Sequence, residues 1–348
     1  MSTGGVRVLF LSDTHLGLDL PQRPRVTRRR RGPEFFAGLE QALAPALRGG
    51  VDLVVHGGDV FFSSRVPPAL VERAFAPLEA VADQGVPVCI VPGNHERSRI
   101  PYPPLVTHPG IHVFDRPRTF DLDLGGVRVA VAGFPFVRRG LRGSFGALVE
   151  STGGRAFAAD VRLLCLHQCV EGATVGPRGY VFREGDDVIE GRDLPGDFAA
   201  VLAGHVHRHQ VLTRDLRGRE LPTPVLYAGS TERTSFAERD ETKGYLLVDV
   251  EGGASGRGRL RAVEFREIPT RPMVQLDLGA DRVDGAFLVR TLPSLLRAHP
   301  PDAIVRLKVH GRPLPDAGLR VRAVRSVIPP TMNVSVRWTG DPAWRLDT

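Results

Sequence analysis

FAAVLAGHVH, residues 198–207, is an apolar run that ends in a glycine and two histidines spaced two apart, His205 and His207. The run is short and bounded by glycine, which reads as a buried β-strand with a loop at its C-terminal end. Four earlier segments repeat the design: VRVLFLSDTH (6–15) delivers Asp13 and His15, VDLVVHGGD (51–59) delivers Asp59, PVCIVPGNH (87–95) delivers Asn94 and His95, and VRLLCLHQ (161–168) delivers His167. Loops leaving the ends of parallel strands point to one edge of a sheet, so residues scattered over most of the first two-thirds of the chain can meet there. The expected fold is α/β, with a two-metal site at that edge.

The residue types suit that chemistry. A carboxylate such as Asp59 has two oxygens and can bridge two divalent cations, while Asp13, His15, Asn94, His167, His205 and His207 supply O and N donors suited to Mn, Fe or Zn. Two such ions roughly 3.5–4 Å apart lower the pKa of a bound water from about 15.7 toward ~7 and clamp the oxygens of an in-line phosphoryl displacement. One histidine alone reads as an ordinary core or surface residue. Five ordered segments, each strand then ligand, do not.

With 348 residues and 42% hydrophobic content, the chain can form one large α/β core and a smaller domain. No apolar run approaches a membrane span. VRVLFLSD is short and leads straight into the candidate site, so it reads as a core strand and not a signal peptide, and the cytoplasm is the expected compartment. Three cysteines, Cys89, Cys165 and Cys169, fit reduced structural thiols. Cys165 and Cys169 straddle His167, but a lone Cys-x-x-x-Cys pair is a weak zinc signal.

The net charge of +7 comes almost wholly from arginine, Lys243 and Lys308 being the only lysines. A GC-rich coding bias accounts for arginine over lysine but not for clustering. Arg23, Arg25, Arg28, Arg29, Arg30 and Arg31 crowd the loop after DTH, and Arg97 and Arg99 follow GNHE. Beside a site for phosphate esters, backbone phosphates of DNA are the natural counter-charge, against a solvated loop as the plain reading. Arg138, Arg139 and Arg142 are candidates to extend the same surface.

Helical patterns cover Pro33–Leu47 and Pro67–Gln84, and FDLDLGGVRVAVAGF (120–134) reads as a hairpin across Gly125-Gly126. Residues 171–195 read as a long glycine-rich polar loop, a candidate for substrate contact, with an ordinary surface insertion as the alternative. VLTRDL, PVLYAG and GYLLVDV then read as strands of a second sheet, giving two stacked sheets flanked by helices. A boundary falls at IPTRPM, dividing 1–270 from 271–348. The second part reads as a small β/α domain with strands MVQLDL, AIVRLKVHG and MNVSVRW, helices near 285–296 and 315–327, and a structural His310.

In order, DTH, GGD, GNHE, LH and GHVH make the sequence resemble the calcineurin-like metallophosphoesterases. GGDVFFSSRVPP, PGNHERSRIP and YAGSTERTSFAERDETKGY carry a narrower resemblance to the double-strand-break repair nuclease branch, the SbcD-type exonuclease subunit, over about residues 6–270. The resemblance implies a four-layer sandwich of two mixed sheets with a C-terminal capping domain that helps grip DNA. It implies two divalent metals, most simply Mn2+: one held by Asp13, His15, Asp59 and His207, the other by Asp59, Asn94, His167 and His205. His95 would then touch the scissile phosphate, stabilising the transition state or protonating the leaving oxygen. A homodimer and an SbcC-type SMC-like ATPase partner come from the same analogy.

Two departures qualify this. Phe62 stands where some of the branch carry a histidine that positions phosphate for exonucleolytic cutting, and phenylalanine can neither donate a proton nor bind an oxyanion. Glu96 in GNHE is shared with protein phosphatases, but their DRG element is absent and they lack the paired GHVH. The expected function is a two-metal DNA phosphodiesterase, exonuclease or endonuclease, acting in repair. The alternatives are a phosphodiesterase of nucleotides or other small phosphoesters, and a weakly active DNA-binding accessory subunit.

Overall fold

The computed structural model describes residues 4–24, 28–96, 107–253, 255–283, 285–313, 321–338 and 345–347. Two six-stranded sheets form the larger unit. The first runs in the order Arg259–Ile268, Lys243–Glu251, Gly5–Leu11, Leu53–His56, Val88–Ile90 and Ile111–Val113. Its last four strands are parallel and the first three mutually antiparallel. The second runs in the order Gln210–Arg214, Glu220–Tyr227, Ala200–Gly204, Val161–His167, Val127–Gly133 and Arg118–Leu124, parallel within and antiparallel at both edges.

Alternate side chains point to opposite faces of a strand, so each central strand feeds two cores. Val8 and Phe10 turn inward to meet Val129, Val131, Leu163 and Leu202 in the core between the sheets. Leu9 and Leu11 turn outward beneath the helices Gly32–Leu47 and Pro68–Ala82. On the far side Leu164, Leu166, Val201 and Ala203 pack with Phe145 and Val149 of the helix Leu141–Ser151. The layers are therefore helix, sheet, sheet, helix. Gly125 and Gly126, at φ 63° and 87°, close the expected hairpin, a conformation that costs glycine little.

GYLLVDV does not join the second sheet: Lys243–Glu251 pairs antiparallel with Gly5–Leu11 of the first. Its buried hydrophobics suit either sheet, and only the vacant flank of Gly5–Leu11 decides. The strands that carry the candidate metal residues are shared between the two sheets rather than lined along one. Residues 171–195 also carry more structure than a loop, with a Thr174–Val175/Tyr180–Val181 hairpin and Val188–Ile189 paired to Cys169–Val170.

The second compact unit comprises residues 21–31, 235–240 and 269–348. Its sheet runs in the order Met273–Val283, Ile304–Pro313, Asn333–Trp338 and Arg345–Asp347, with the helices Gly285–Arg297 and Val321–Ser326. Leu288, Leu292, Leu296 and Val324 pack on Val305, Leu307, Val309, Val334 and Val336. On this sheet the His310 side chain bonds Asp277 at 2.7 Å. The first part of the helix expected over 315–327 lies outside the described residues.

Candidate metal centre

Two loops from the first sheet are zipped together beyond the strand ends. Leu11 pairs with His56, and then Gly57 N–H donates to Leu11 O, Asp13 N–H to Gly58 O, His15 N–H to Asp59 O and Leu16 N–H to Val60 O, all at 2.8–3.0 Å. In the second sheet Gly204 lies opposite His167, so the turn carrying His205 and His207 starts beside the His167 ring. The two sets of loops meet at Gly204, where an added Cβ would come within 2.1 Å of Gly57 O. Since the obstacle is backbone, Gly204→Ala is expected to cost about 1–3 kcal/mol by overpacking and to displace His205. A lower thermal midpoint with weakened cation binding is the expected result; an unchanged midpoint would mean the loops part freely.

Asp13, His15, Asp59 and His205 have φ of 54°, 45°, 52° and 84°, and Asp19 is the one other described non-glycine residue with positive φ. Such conformations cost of order 1–3 kcal/mol each and persist where the surroundings over-determine them, commonly at functional sites. Here the hydrogen-bonded zipper supplies that constraint.

The side chains converge. Among the described residues, donor atoms of Asp13, His15 and His207, of His15, Asp59 and His95, and of Asp13, Asp59 and His167 lie within 4.8 Å of one another in each group. His15 Nε2 is 2.9 Å from His207 Nε2, and Asp59 Oδ2 is 3.4 Å from His167 Nε2, 3.8 Å from His95 Nε2 and 4.0 Å from His15 Nε2. Asn94 Oδ1 lies 3.0 Å from His167 Nε2 and 2.8 Å from His205 Nδ1. His205 N–H donates to the buried Asp13 carboxylate.

His167 tests whether cations fit this arrangement. Its Nδ1 lies 2.7 Å from Gly57 O, and a carbonyl only accepts, so Nδ1 carries the proton. Nε2 then faces two oxygens, from Asn94 and Asp59. With protein atoms alone the ring must be protonated to satisfy them, whereas a cation would take the nitrogen lone pair and both oxygens together. Buried His15 Nδ1 has no hydrogen-bond partner, and His15 and His207 turn ring nitrogens toward each other. The residues fit a pair of divalent cations.

Electrostatics agree. Burial alone would depress His167, but the charge and hydrogen bond of Asp59, with Asp13 behind, hold it up at about 9. Burial would raise Asp59, yet His167 pulls it well below the usual carboxylate range. Burial and then the charge of His207 push His15 well down, and burial with His167 lowers His205 to about 3. His15 and His205 are thus held neutral, the form that ligates metal.

Two buried residues to which the sequence alone gives no role hold the Asp59 loop. Glu96 accepts backbone N–H bonds from Asp59, Phe61 and Gly93 at 3.2, 2.7 and 2.7 Å; burial and the nearby Asp59 raise its carboxyl to about 8. Thr14 donates to Val60 O, which leaves its oxygen to accept from His56 Nε2, while His56 Nδ1 accepts from Gly58 N–H. That fixes one neutral tautomer, in keeping with a pKa lowered to about 3 by burial. The signal for both was their position inside or beside GGD and GNHE. Buried Lys243 donates to His207 O and pairs with Glu241, and Ser230 N–H donates to the same carbonyl, so Ser230 and Lys243 brace the GHVH turn.

His95 sits apart from the most buried of these side chains. Its Nδ1 donates to Phe62 O at 2.6 Å and its N–H to Asp59 Oδ1 at 2.9 Å, so Nε2 is the ring atom left to face a substrate. The Phe62 ring is 5.5 Å from the His95 ring and 6.2 Å from that of His15.

The arginines are distributed differently. Arg28, Arg29, Arg30 and Arg31 are half-buried in the 21–31 segment that clusters with the C-terminal unit. Arg29 donates to Thr331 O at 3.2 Å and its carbonyl accepts from Asn333 Nδ2 at 2.9 Å, so at least this arginine has a structural task. Arg142 pairs with Glu190, and Arg138 and Arg139 are exposed. Arg97 and Arg99 lie outside the described residues, as does Arg25. Cys165 and Cys169 belong to different cores, and burial raises both thiols, Cys169 to about 12. They are structural and form no metal pair with each other.

A layered α/β sandwich with this cluster between its strand ends defines a metallophosphoesterase, and residues 6–209 match the calcineurin-like phosphoesterase family. The chain belongs to that family. It is 30% identical over 326 residues to the DNA double-strand break repair protein Mre11 of Haloferax volcanii, covering 91% of this chain and 65% of that protein. It is 26% identical over 289 residues to the protein of the same name from Aeropyrum pernix, covering 78% and 64%. The SbcD component of the nuclease SbcCD from Bacillus subtilis is 27% identical over 275 residues, covering 71% and 67%. The chain therefore spans about two-thirds of the length of these relatives.

Proposed function

We propose that the chain is a two-metal-dependent DNA phosphodiesterase, exonuclease or endonuclease, acting in DNA repair. The observation that carries the reading is Asp59, a buried carboxylate ringed by His15, His95 and His167 at 3.4–4.0 Å where loops from both sheets meet. Its proposed role is to bridge the two ions, with Asp13, His15 and His207 completing one ligand set and Asn94, His167 and His205 the other. Divalent cations held there, most simply Mn2+, would supply Lewis acidity to the phosphate and a nucleophile at neutral pH.

The remaining steps fall to the protein. Glu96 and His56 keep the Asp59 loop in its strained conformation, so the carboxylate is already oriented for the cations it would bridge. His95, aimed by the Phe62 carbonyl, can contact the scissile phosphate and give a proton from Nε2 to the leaving oxygen. Residues 271–348 are taken as a capping domain that grips DNA, with an SMC-like ATPase of the SbcC type as partner, a second copy of the chain as a further one, and the cytoplasm as compartment. The relatives named for double-strand break repair and for SbcCD support this reading. Among the described residues no helix is long and apolar enough to cross a membrane.

A manganese-dependent assay comparing linear duplex, circular single strand and a small bis-ester tests the proposal. Cleavage of DNA is expected; turnover of the bis-ester alone would return the protein to small phosphoesters, and binding without turnover would make it an accessory subunit.

For the arginine loop, Arg28 and Arg31 replaced together by Ser, with Arg29 kept for its bond to Thr331, are expected to weaken duplex binding while sparing the bis-ester. Each lost phosphate contact should flatten the slope of log affinity against log salt by about 0.9. An unchanged slope assigns the loop a structural task only.

A further inference from the structure

The geometry points to Phe62 as a stacking platform for an unpaired nucleobase next to the scissile phosphate, making the site selective for single-stranded or frayed DNA over intact duplex. This deepens the phosphodiesterase reading and rests on it. The cluster is closed on most sides. His15 and His167 side chains are buried, whereas those of His95 and His207 are 31% and 26% exposed, so a substrate approaches past these two. Phe136, with its ring 5.6 Å from His205 and 6.0 Å from His167, walls the opposite end.

Phe62 stands at the open side, 40% exposed, beside a fully buried Phe61. The other large exposed hydrophobics, Leu47, Tyr180, Val211 and Leu216, make no ring contact with the site histidines among the described residues. A single exposed apolar side chain needs no explanation in itself. What distinguishes Phe62 is its mounting. Its N–H donates to Leu16 O at 3.0 Å and its carbonyl accepts from His95 at 2.6 Å, so the backbone is held at both ends. The ring is thereby presented on a rigid base beside the histidine that meets the phosphate.

A flat apolar ring adjoining a phosphate site matches a nucleotide, whose base projects from the sugar next to that phosphate. Stacking on an aromatic side chain tolerates any base, since each has a π-face, and loses little entropy when the platform is already fixed. A base within a duplex has both faces covered by its neighbours, so using the platform requires the nucleotide to be unstacked. Single strands, flaps and frayed ends meet that requirement at least cost.

The test compares affinity and KM for oligothymidylate with those for an abasic oligophosphate of equal length, in the parent, Phe62→Ala and Phe62→Tyr. The parent should prefer thymidylate, and Phe62→Ala should lose between about fivefold and a hundredfold of affinity for it, the range of one base–aromatic stack, with no change for the abasic strand. Phe62→Tyr should keep the preference. In the parent, 2-aminopurine placed at successive positions should change its emission on binding at one of them, where it leaves its base neighbours, and that change should vanish in Phe62→Ala. Equal loss on both strands, no loss on either, or no position-specific emission change in the parent overturns the platform. If neither polymer is cleaved, the phosphodiesterase reading fails, while the thymidylate-to-abasic affinity ratio still decides the stack.

Discussion

Asp59→Asn is expected to release both cations and abolish hydrolysis together. Asp59 is buried, with Oδ1 accepting the His95 N–H and Oδ2 facing His167, His95 and His15. An amide fits the same space but removes the charge that offsets two cations inside a poorly solvated cleft, and it points an N–H2 or a weaker oxygen at the imidazoles. Losing one member of such a buried charged set costs of order 3–5 kcal/mol, or roughly 10²–10⁴ in binding, before any chemical role is counted. Metal content by elemental analysis and turnover of a bis-ester should fall in parallel. A variant that kept both ions and near-normal turnover would remove Asp59 from the bridging position.

His95→Ala should separate catalysis from metal binding. Alanine retains the backbone N–H that bonds Asp59 Oδ1, so the loop keeps its anchor while the ring held by Phe62 O is lost. General acid or electrostatic help of this kind is worth about 10²–10⁴ in rate. Turnover should drop by that factor with two ions still bound per chain. Loss of metal along with activity would instead move His95 into the coordination shell, which its 3.8 Å approach to Asp59 Oδ2 allows geometrically.

Much of the site is legible in the sequence because each part is local. Five apolar runs, each followed by a carboxylate, amide or imidazole, encode a strand and its terminal loop within about ten residues, and Gly125-Gly126 encodes its own hairpin. What escapes depends on groups distant in the chain. His56 inside the GGD segment reads as one more polar residue at a strand end until Thr14 and Gly58 are seen on its two nitrogens. Glu96 likewise shows its purpose only when three N–H groups from two loops converge on it. The arginine run reads as free charge, yet Arg29 lies against Thr331 and Asn333 from the far end of the sequence.

Period, turn chemistry and donor type belong to neighbouring residues, so the sequence by itself determined the central strands of both sheets, the helices Gly32–Leu47 and Pro68–Ala82, the α/β class and the identities of the gathered polar residues, while the strands Ile111–Val113 and Arg259–Ile268 and the helix Leu141–Ser151 show only in the structure. Partner choice does not belong to neighbours. Lys243–Glu251 suits either sheet by composition, and it pairs with Gly5–Leu11 because that strand otherwise leaves a row of backbone groups unsatisfied. Likewise, whether an aromatic at position 62 packs inward or stands at the mouth of the cleft is absent from GDVFF. Tertiary structure decided it: Phe61 packs against Phe75 in the core beneath the helices, while the chain bends at Phe62, whose backbone is held by Leu16 O and His95 and whose ring is left exposed.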